Sequence, residues 1–318
     1  MIHILNAEAI GYSDEARIIL KGVGELTEGV LSRKEIVTNL PQYDVLIVRL
    51  ANQVDREVID AGHRLKVIVT ATTGLDHIDV EYARSKGITI LSLLGEKEFL
   101  RTVSATAEHT WALTLALLRH IPAAFASVLE GAWNRDAFRG HELAGRRLGL
   151  VGLGRVGTKV ARYGLTFGMA VAAYDPHVTG WLDDVIRCCF LHELLRQSDV
   201  LSLHIPLNTE TQGLISGREF DLMPSKAVLV NTSRSEVVEE NALLQALQNG
   251  HLAGAALDFL PHERYTEKRQ SSTLLAYART HNNLLITPHI SGATHESMAK
   301  TEIYMAQKLA AFLKSLKK

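Results

Sequence analysis

Three spaced glycines, Gly152-Leu153-Gly154-Arg155-Val156-Gly157, limit the possible folds of this chain more than any other feature. In front of them Leu148–Val151 is a short apolar run suited to a buried parallel strand, and Arg155–Phe167 behind them carries apolar residues at helical spacing. A second apolar run, 170–174, ends at the acid Asp175. Strand, tight glycine turn, helix N-terminus, second strand and acid is the order a dinucleotide-binding turn requires. Gly152 permits the sharp turn, Gly154 lets backbone approach a pyrophosphate, and Gly157 lets helix and strand pack closely. The first N–H groups of the helix are then open to phosphate oxygens. A carboxylate at Asp175 would hydrogen-bond a ribose diol and repel a 2′-phosphate, so NAD is expected rather than NADP. Taken alone, the glycines would also suit an ordinary strand-to-helix connection.

A chain of 318 residues has room for two domains with well-buried cores. Its 34 Lys and Arg nearly balance 35 Asp and Glu, without a long run of one sign, which gives a nucleic-acid or membrane-surface role no support. The opening Met-Ile-His-Ile-Leu-Asn lacks a basic segment, a long apolar core and a cleavage site, so the expected location is the cytoplasm. The apolar region 105–129 is interrupted by Glu108, His109, Arg119, His120 and Pro122, and reads as a soluble helix rather than a bilayer span. The two cysteines, Cys188 and Cys189, are adjacent; a bridge between them would be strained, so both are expected as thiols. No zinc-type spacing occurs, and the cluster Asp76-His77-Ile78-Asp79 lacks a fourth ligand nearby, so no metal is expected.

Before the glycine turn, the apolar runs 2–5, 45–50, 67–69 and 88–91 alternate with amphipathic segments around 14–21 and 55–62. After it, runs at 170–174, 200–204, 227–231, 253–257 and 284–287 read as strands with helices between them, and a last helix spans about 295–316. The pattern predicts an α/β protein of two doubly wound, Rossmann-like domains with a cleft between them, the last helix returning to the first domain. Residues 262–272, rich in charge and hydroxyls, read as a long exposed loop.

Ligands of open α/β folds bind beyond the carboxyl ends of strands. Asp175, His204, Arg234, Asp258 and His289 all follow apolar runs. Reducing a 2-keto acid with a nicotinamide requires a cation for the carboxylate, a proton donor for the carbonyl oxygen and a partner that stabilises the protonated donor. Arg234 can grip a carboxylate bidentately, His289 is the side-chain type that exchanges protons near neutral pH, and Glu263 is a carboxylate in reach of pairing. The duller readings are a surface ion-pair arginine for Arg234, a solvated loop for Glu263 and a strand cap for His289. His204 reads as structural or as a neighbour of the cofactor, not as catalytic.

The ordered motifs Thr73-Gly-Leu-Asp-His-Ile-Asp79, Ala107-Glu-His109, the glycine turn with Asp175, Ser198 to Thr211, Asn231-Thr-Ser-Arg234, Asp258 with Glu263, and Thr287-Pro-His289 cover nearly the whole chain. In them the chain resembles the D-isomer-specific 2-hydroxyacid dehydrogenases of the phosphoglycerate, glycerate and hydroxypyruvate type. The resemblance implies that His289 is the acid/base, Glu263 its partner and Arg234 the substrate-carboxylate arginine. It implies a cofactor site lined by Gly152, Gly154, Arg155, Val156, Gly157, Asp175, Pro206, Thr211, Thr232 and Asp258, and backbone N–H groups of Gly74 and Leu75 turned to the substrate carboxylate. A substrate-binding domain of residues 1–100 plus 290–318 and an NAD-binding domain of 101–289 are implied too. So is a homodimer built on the region 105–142, with Trp133 and Phe138 as apolar anchors.

Arg49 matches the position where phosphoglycerate dehydrogenases present an arginine to the substrate phosphate. With Arg101 and Arg264 it leaves a phosphorylated acid such as 3-phosphoglycerate open, beside a plain surface arginine. The chain departs from the family where Ser233-Arg234-Ser235 replaces Ala-Arg-Gly, where Glu263-Arg264 replaces Glu-Pro, and in a longer segment from Glu263 to His289. Relatives of this fold that act as NAD-responsive corepressors supply the alternative, a binding protein with little turnover.

Overall fold

The computed structural model describes residues 1–263 and 265–316. Arg264, one of the cations considered for a phosphate, lies outside the described residues. Two compact units form, one from Met1–Thr102 with Ala293–Lys318 and one from Val103–Gly292.

The first unit holds five parallel strands, β1 (His3–Asn6), β2 (Glu25–Glu28), β3 (Val45–Val48), β4 (Val67–Thr70) and β5 (Thr89–Leu91), in the order β2-β1-β3-β4-β5. β3 and β4, apolar except for Thr70, are buried along their whole length, as a parallel strand covered on both faces must be. β2, Glu-Leu-Thr-Glu, escapes the sequence reading because it is a polar, mostly exposed edge strand. The last helix, His295–Ser315, is capped by the Thr294 hydroxyl and sinks Met305, Ala306, Leu309 and Leu313 into this unit's core with Ile4, Leu20, Val45 and Val67.

The second unit holds seven parallel strands: β6 (Arg147–Val151), β7 (Ala170–Tyr174), β8 (Ile186–Arg187), β9 (Val200–Leu203), β10 (Val228–Asn231), β11 (Gly254–Leu257) and β12 (Leu284–Ile286). Their order is β12-β11-β10-β9-β6-β7-β8. The chain therefore builds outward from β6 in both directions, and the order reverses at the β6–β9 boundary. Such a switch point is where open α/β sheets bind ligands. β8, two exposed residues at the edge, is a second strand that the sequence reading lacks.

Two segments differ from expectation. The apolar region 105–129 is two helices, Ala105–Leu118 and Ile121–Leu129, because His120 takes a left-handed conformation (φ 54°) and Pro122 stands at the start of the second. No single described helix is long and apolar enough to cross a membrane. The expected loop 262–272 contains a short helix, Thr266–Gln270, with Lys268 and Arg269 in its last turn, where cations complement the helix dipole. Ser272 then caps a further helix, Thr273–Ala278. Both cysteines are free thiols, Cys188 buried and Cys189 exposed.

Candidate active site

A parallel sheet puts all of its carboxyl ends on one side, so strand order fixes the sequence of side chains across it. In the second unit these run His289 beyond β12, Asp258 beyond β11, Arg234 beyond β10, His204 beyond β9, the glycine turn beyond β6 and Asp175 beyond β7.

The three glycines do three different jobs. Gly152 has φ 92°, and a Cβ on it would lie 2.6 Å from the His204 carbonyl oxygen. A Cβ on Gly157 would lie 2.1 Å from the Gly152 carbonyl oxygen, so its missing side chain is what lets helix Arg155–Thr166 meet the turn. A Cβ on Gly154 would meet nothing within 4 Å, and the helix it precedes starts without a side-chain cap. That open cradle faces unsatisfied helical N–H groups, the arrangement that receives phosphate. Arg155, first in the helix, makes no hydrogen bond or ion pair among the described residues, and burial pulls its guanidinium below its ordinary value. A desolvated cation without a partner at this place is an anion ligand in waiting.

The Asp175 carboxylate accepts the N–H of Leu153 at 2.8 Å and those of His177 and Val178 at 2.9 and 3.2 Å, which braces it beside the glycine turn. Thr211 closes the turn after β9 by donating to the Pro206 carbonyl oxygen at 2.6 Å. Val156 is half-buried against the sheet. Thr232 is buried, its hydroxyl 2.8 Å from that of Thr110. The residues present thus fit a dinucleotide. His204 bonds Ser202 at 2.9 Å through Nε2, and burial pushes its imidazole down to about 3, so it stays neutral and donates no proton to a reaction.

The His289 Nδ1 meets Glu263 Oε1 at 2.5 Å, with both side chains partly exposed. That bond fixes the ring's tautomer and leaves Nε2 without a partner among the described residues. Phe259 packs edge-on against the ring, 5.9 Å between centroids. Glu263 is secured in turn by Arg269, which donates to its carbonyl oxygen at 2.8 Å, so the longer segment still delivers the carboxylate. Arg234 sits in extended backbone after β10 and donates from Nη1 to the Ser233 carbonyl oxygen at 2.7 Å. Asn231, 1 % exposed, builds this turn: its Oδ1 accepts from the Ser233 N–H and hydroxyl, and its Nδ2 donates to the Arg234 carbonyl oxygen at 2.8 Å.

Asp258 is 0 % exposed, and its carboxylate is bonded to the segment bearing His289. Oδ1 accepts from the Thr287 hydroxyl at 2.6 Å and the Ile290 N–H at 2.9 Å; Oδ2 accepts from the Ser291 N–H at 2.7 Å. Burial alone would raise this carboxyl, but hydrogen bonds from His109, Thr287, Ile290 and Ser291 outweigh it and hold the group below its ordinary value. His109, Thr287, Asn231 and Phe259 are the site residues to which sequence reasoning gave no role. His109 stood in a quoted motif, but nothing in the sequence shows what it bonds.

In the first unit, Gly74 and Leu75 lie in the segment after β4, and neither N–H donates to an acceptor among the described residues, although the Gly74 and Leu75 carbonyl oxygens are both bonded. In the neighbouring acidic cluster, His77 is buried against Thr70 at 3.1 Å, and Asp79 caps helix Val80–Ser85. Arg49 is engaged within its own unit. Its guanidinium donates to the carbonyl oxygens of Glu8 and Ile10 at 2.7 and 2.8 Å and pairs at 3.3 Å with Glu302, a carboxylate 1 % exposed. A buried acid on the last helix needs that cation, so Arg49 is a tie within its unit rather than a free phosphate ligand. Arg101 is mostly exposed and paired with Glu98.

Residues 111–291 match the family described as D-isomer specific 2-hydroxyacid dehydrogenase, NAD binding domain. The chain is 35 % identical over 285 residues to a hydroxypyruvate reductase of Thermotoga maritima, covering 90 % of each. It is 37 % identical over 288 residues to a D-3-phosphoglycerate dehydrogenase of Archaeoglobus fulgidus, of which it spans only 52 %. Among solved structures, a D-lactate dehydrogenase of Aquifex aeolicus complexed with NAD and lactic acid superimposes with a TM-score of 0.83 at 28 % identity, over 98 % of this chain and 96 % of that one. With the glycine turn, the braced Asp175 and the His289–Glu263 pair in place, the chain belongs to the D-isomer-specific 2-hydroxyacid dehydrogenase family, as an NAD-dependent oxidoreductase acting on CH–OH groups.

Proposed function

We propose that this protein interconverts a small 2-keto acid and the corresponding D-2-hydroxy acid, with His289 as acid/base, Glu263 as its partner and Arg234 as the carboxylate ligand. The observation that carries the reading is the 2.5 Å bond from His289 Nδ1 to Glu263, which leaves Nε2 as the ring's open position. The glycine turn, Arg155 and Asp175 would hold NADH, whose chemistry would be the supply of a hydride for the carbonyl carbon. In that direction the His289 Nε2–H gives its proton to the carbonyl oxygen, and Glu263 stabilises the imidazolium before the transfer. In the reverse direction neutral Nε2 takes the hydroxyl proton. A positioned acid/base of this kind contributes on the order of 10²–10⁴ in rate. Arg234 fixes the substrate through its carboxylate.

The engagement of Arg49 takes away the main residue that favoured a phosphorylated substrate, so hydroxypyruvate, glyoxylate and pyruvate stand ahead of 3-phosphohydroxypyruvate. NADH oxidation against these four acids, with NADPH as control and His289→Ala as the variant, tests the reading. Turnover lost in the variant supports it, whereas NADH binding with no turnover on any acid favours a binding protein. We also infer a homodimer. Its support is the face of Ile121, Phe125, Val128, Leu129 and Trp133, each 47–90 % exposed, on a helix without a single buried residue and the turn that follows. The expected anchor Trp133 belongs to this face; Phe138 is half-buried.

A further inference from the structure

The His289 ring stands on a backbone that would not choose its own conformation. His289 has φ 55°, in the left-handed region that non-glycine residues avoid. Four hydrogen bonds to Asp258 hold it there. The backbone oxygen of Asp258 accepts the His289 N–H at 2.8 Å, while its carboxylate takes the N–H groups of Ile290 and Ser291 and the hydroxyl of Thr287. The Thr287 hydroxyl has one proton, and at 2.6 Å that proton belongs to Asp258. Its oxygen must then accept from His109 Nε2, 3.0 Å away, and the same Nε2 lies 3.3 Å from Asp258 Oδ1. His109 is therefore protonated at Nε2 and closes a chain, His109 to Thr287 to Asp258 to the His289 turn. His109 stands in the first turns of helix Ala105–Leu118, which is packed into the same core as β11, so the clamp ties the turn to a rigid element.

We propose that His109 is a positioning residue, acting through Thr287 and Asp258 to hold the His289 ring in the pose for proton transfer. The inference rests on His289 being the acid/base. A ring displaced by about 1 Å loses up to a hundredfold in rate even though nothing that touches the reactants has been removed.

The test is His109→Phe against His109→Gln, the second keeping an N–H donor near the same place. His109→Phe is expected to lower kcat about ten- to a hundredfold with the Kd for NADH within about twofold, and to raise the primary isotope effect measured with 4-deuterated NADH. His109→Gln should recover most of the rate. An equally stable His109→Phe with wild-type kcat and isotope effect overturns the proposal. Should His109→Phe fail to fold, Thr287→Val breaks the same chain at its middle and is read in the same way. Ring ¹⁵N shifts of His289 give a readout apart from activity: a change in His109→Phe or Thr287→Val supports the clamp, and unchanged shifts overturn it. If the wild type reduces no keto acid, the proposed function fails while these shifts still decide on the clamp.

Discussion

Glu263 and His289 share a 2.5 Å bond between a carboxylate oxygen and Nδ1 of the ring, although 26 residues and two short helices separate them in the chain. In the proposed mechanism the carboxylate is the ring's partner during proton transfer, so Glu263→Gln, which keeps the shape and discards the charge, should lower kcat by about ten- to a hundredfold. His289→Ala should cost more, about a thousandfold. Both variants should bind NADH as the wild type does. Steady-state kinetics beside a fluorescence titration with NADH separates the two effects, and equal losses in rate and binding would show that the pair holds the cofactor instead.

Gly154 and Gly157 make opposite predictions from similar substitutions. A methyl at Gly157 would overlap the Gly152 carbonyl oxygen, so Gly157→Ala should destabilise the free protein by about 1–3 kcal/mol. A methyl at Gly154 meets open space, so Gly154→Ala should leave the melting temperature of the free protein unchanged. It should weaken NADH binding about tenfold or more, since the space it fills is the cradle assigned to the pyrophosphate. Thermal melts with and without NADH check both; a Gly154→Ala protein with wild-type affinity would move the pyrophosphate elsewhere.

Asp175 is expected to set the preference for NAD. Asp175→Asn keeps an acceptor for one side of this bracing, either the N–H of Leu153 or those of His177 and Val178, and removes the charge that repels a 2′-phosphate. The ratio of kcat/KM for NADH over NADPH should fall by about tenfold or more. An unchanged ratio would place discrimination in some other residue.

How much of this was legible beforehand follows from what the sequence records. The glycine turn, Arg234 and His289 were readable because each is a strong chemical type just beyond an apolar strand, and strand ends of a parallel sheet share one side. The clamp under His289 was not, because His109, Asp258 and Thr287 meet only through a tertiary fold that joins positions 109 and 287, and spacing carries no such information. The ion pair of Arg49 was not legible for a related reason, since its partner Glu302 lies 253 residues further on. β2 was missed because an exposed edge strand has no apolar pattern to read.

Acid stability should depend on Asp199. Arg147 grips its carboxylate at both oxygens, Nη2 at 2.7 Å and Nε at 3.1 Å, and the Arg147 N–H adds a third bond at 2.9 Å, tying the start of β6 to the residue before β9. The Arg147 hydrogen bonds hold the carboxyl below its ordinary value although burial opposes them. A carboxylate depressed in the folded state contributes stability that is complete above its unfolded value, about 4, and is lost as pH falls through the folded one. Urea midpoints of wild type and Asp199→Asn should therefore differ at neutral pH and converge in acid, once the pH has fallen below the folded value. A constant gap across that range would mean that the asparagine costs stability by some route other than the lost charge.

The apolar face after His120 carries the last prediction. Helix Ile121–Leu129 has no buried residue, yet Ile121, Phe125, Val128 and Leu129 stand on it, with Trp133 90 % exposed just beyond. A contiguous group of this size in water marks an association surface more often than a bare one. Since a two-fold interface uses the same patch on both copies, a single substitution puts two charges into it. Phe125→Asp should thus convert a dimer into a monomer while the isolated fold survives, because the side chain it replaces is already mostly exposed. Light scattering coupled to size-exclusion chromatography reads the mass directly; a wild type that elutes as a monomer at every concentration removes the dimer, and a variant that remains dimeric moves the interface to another face.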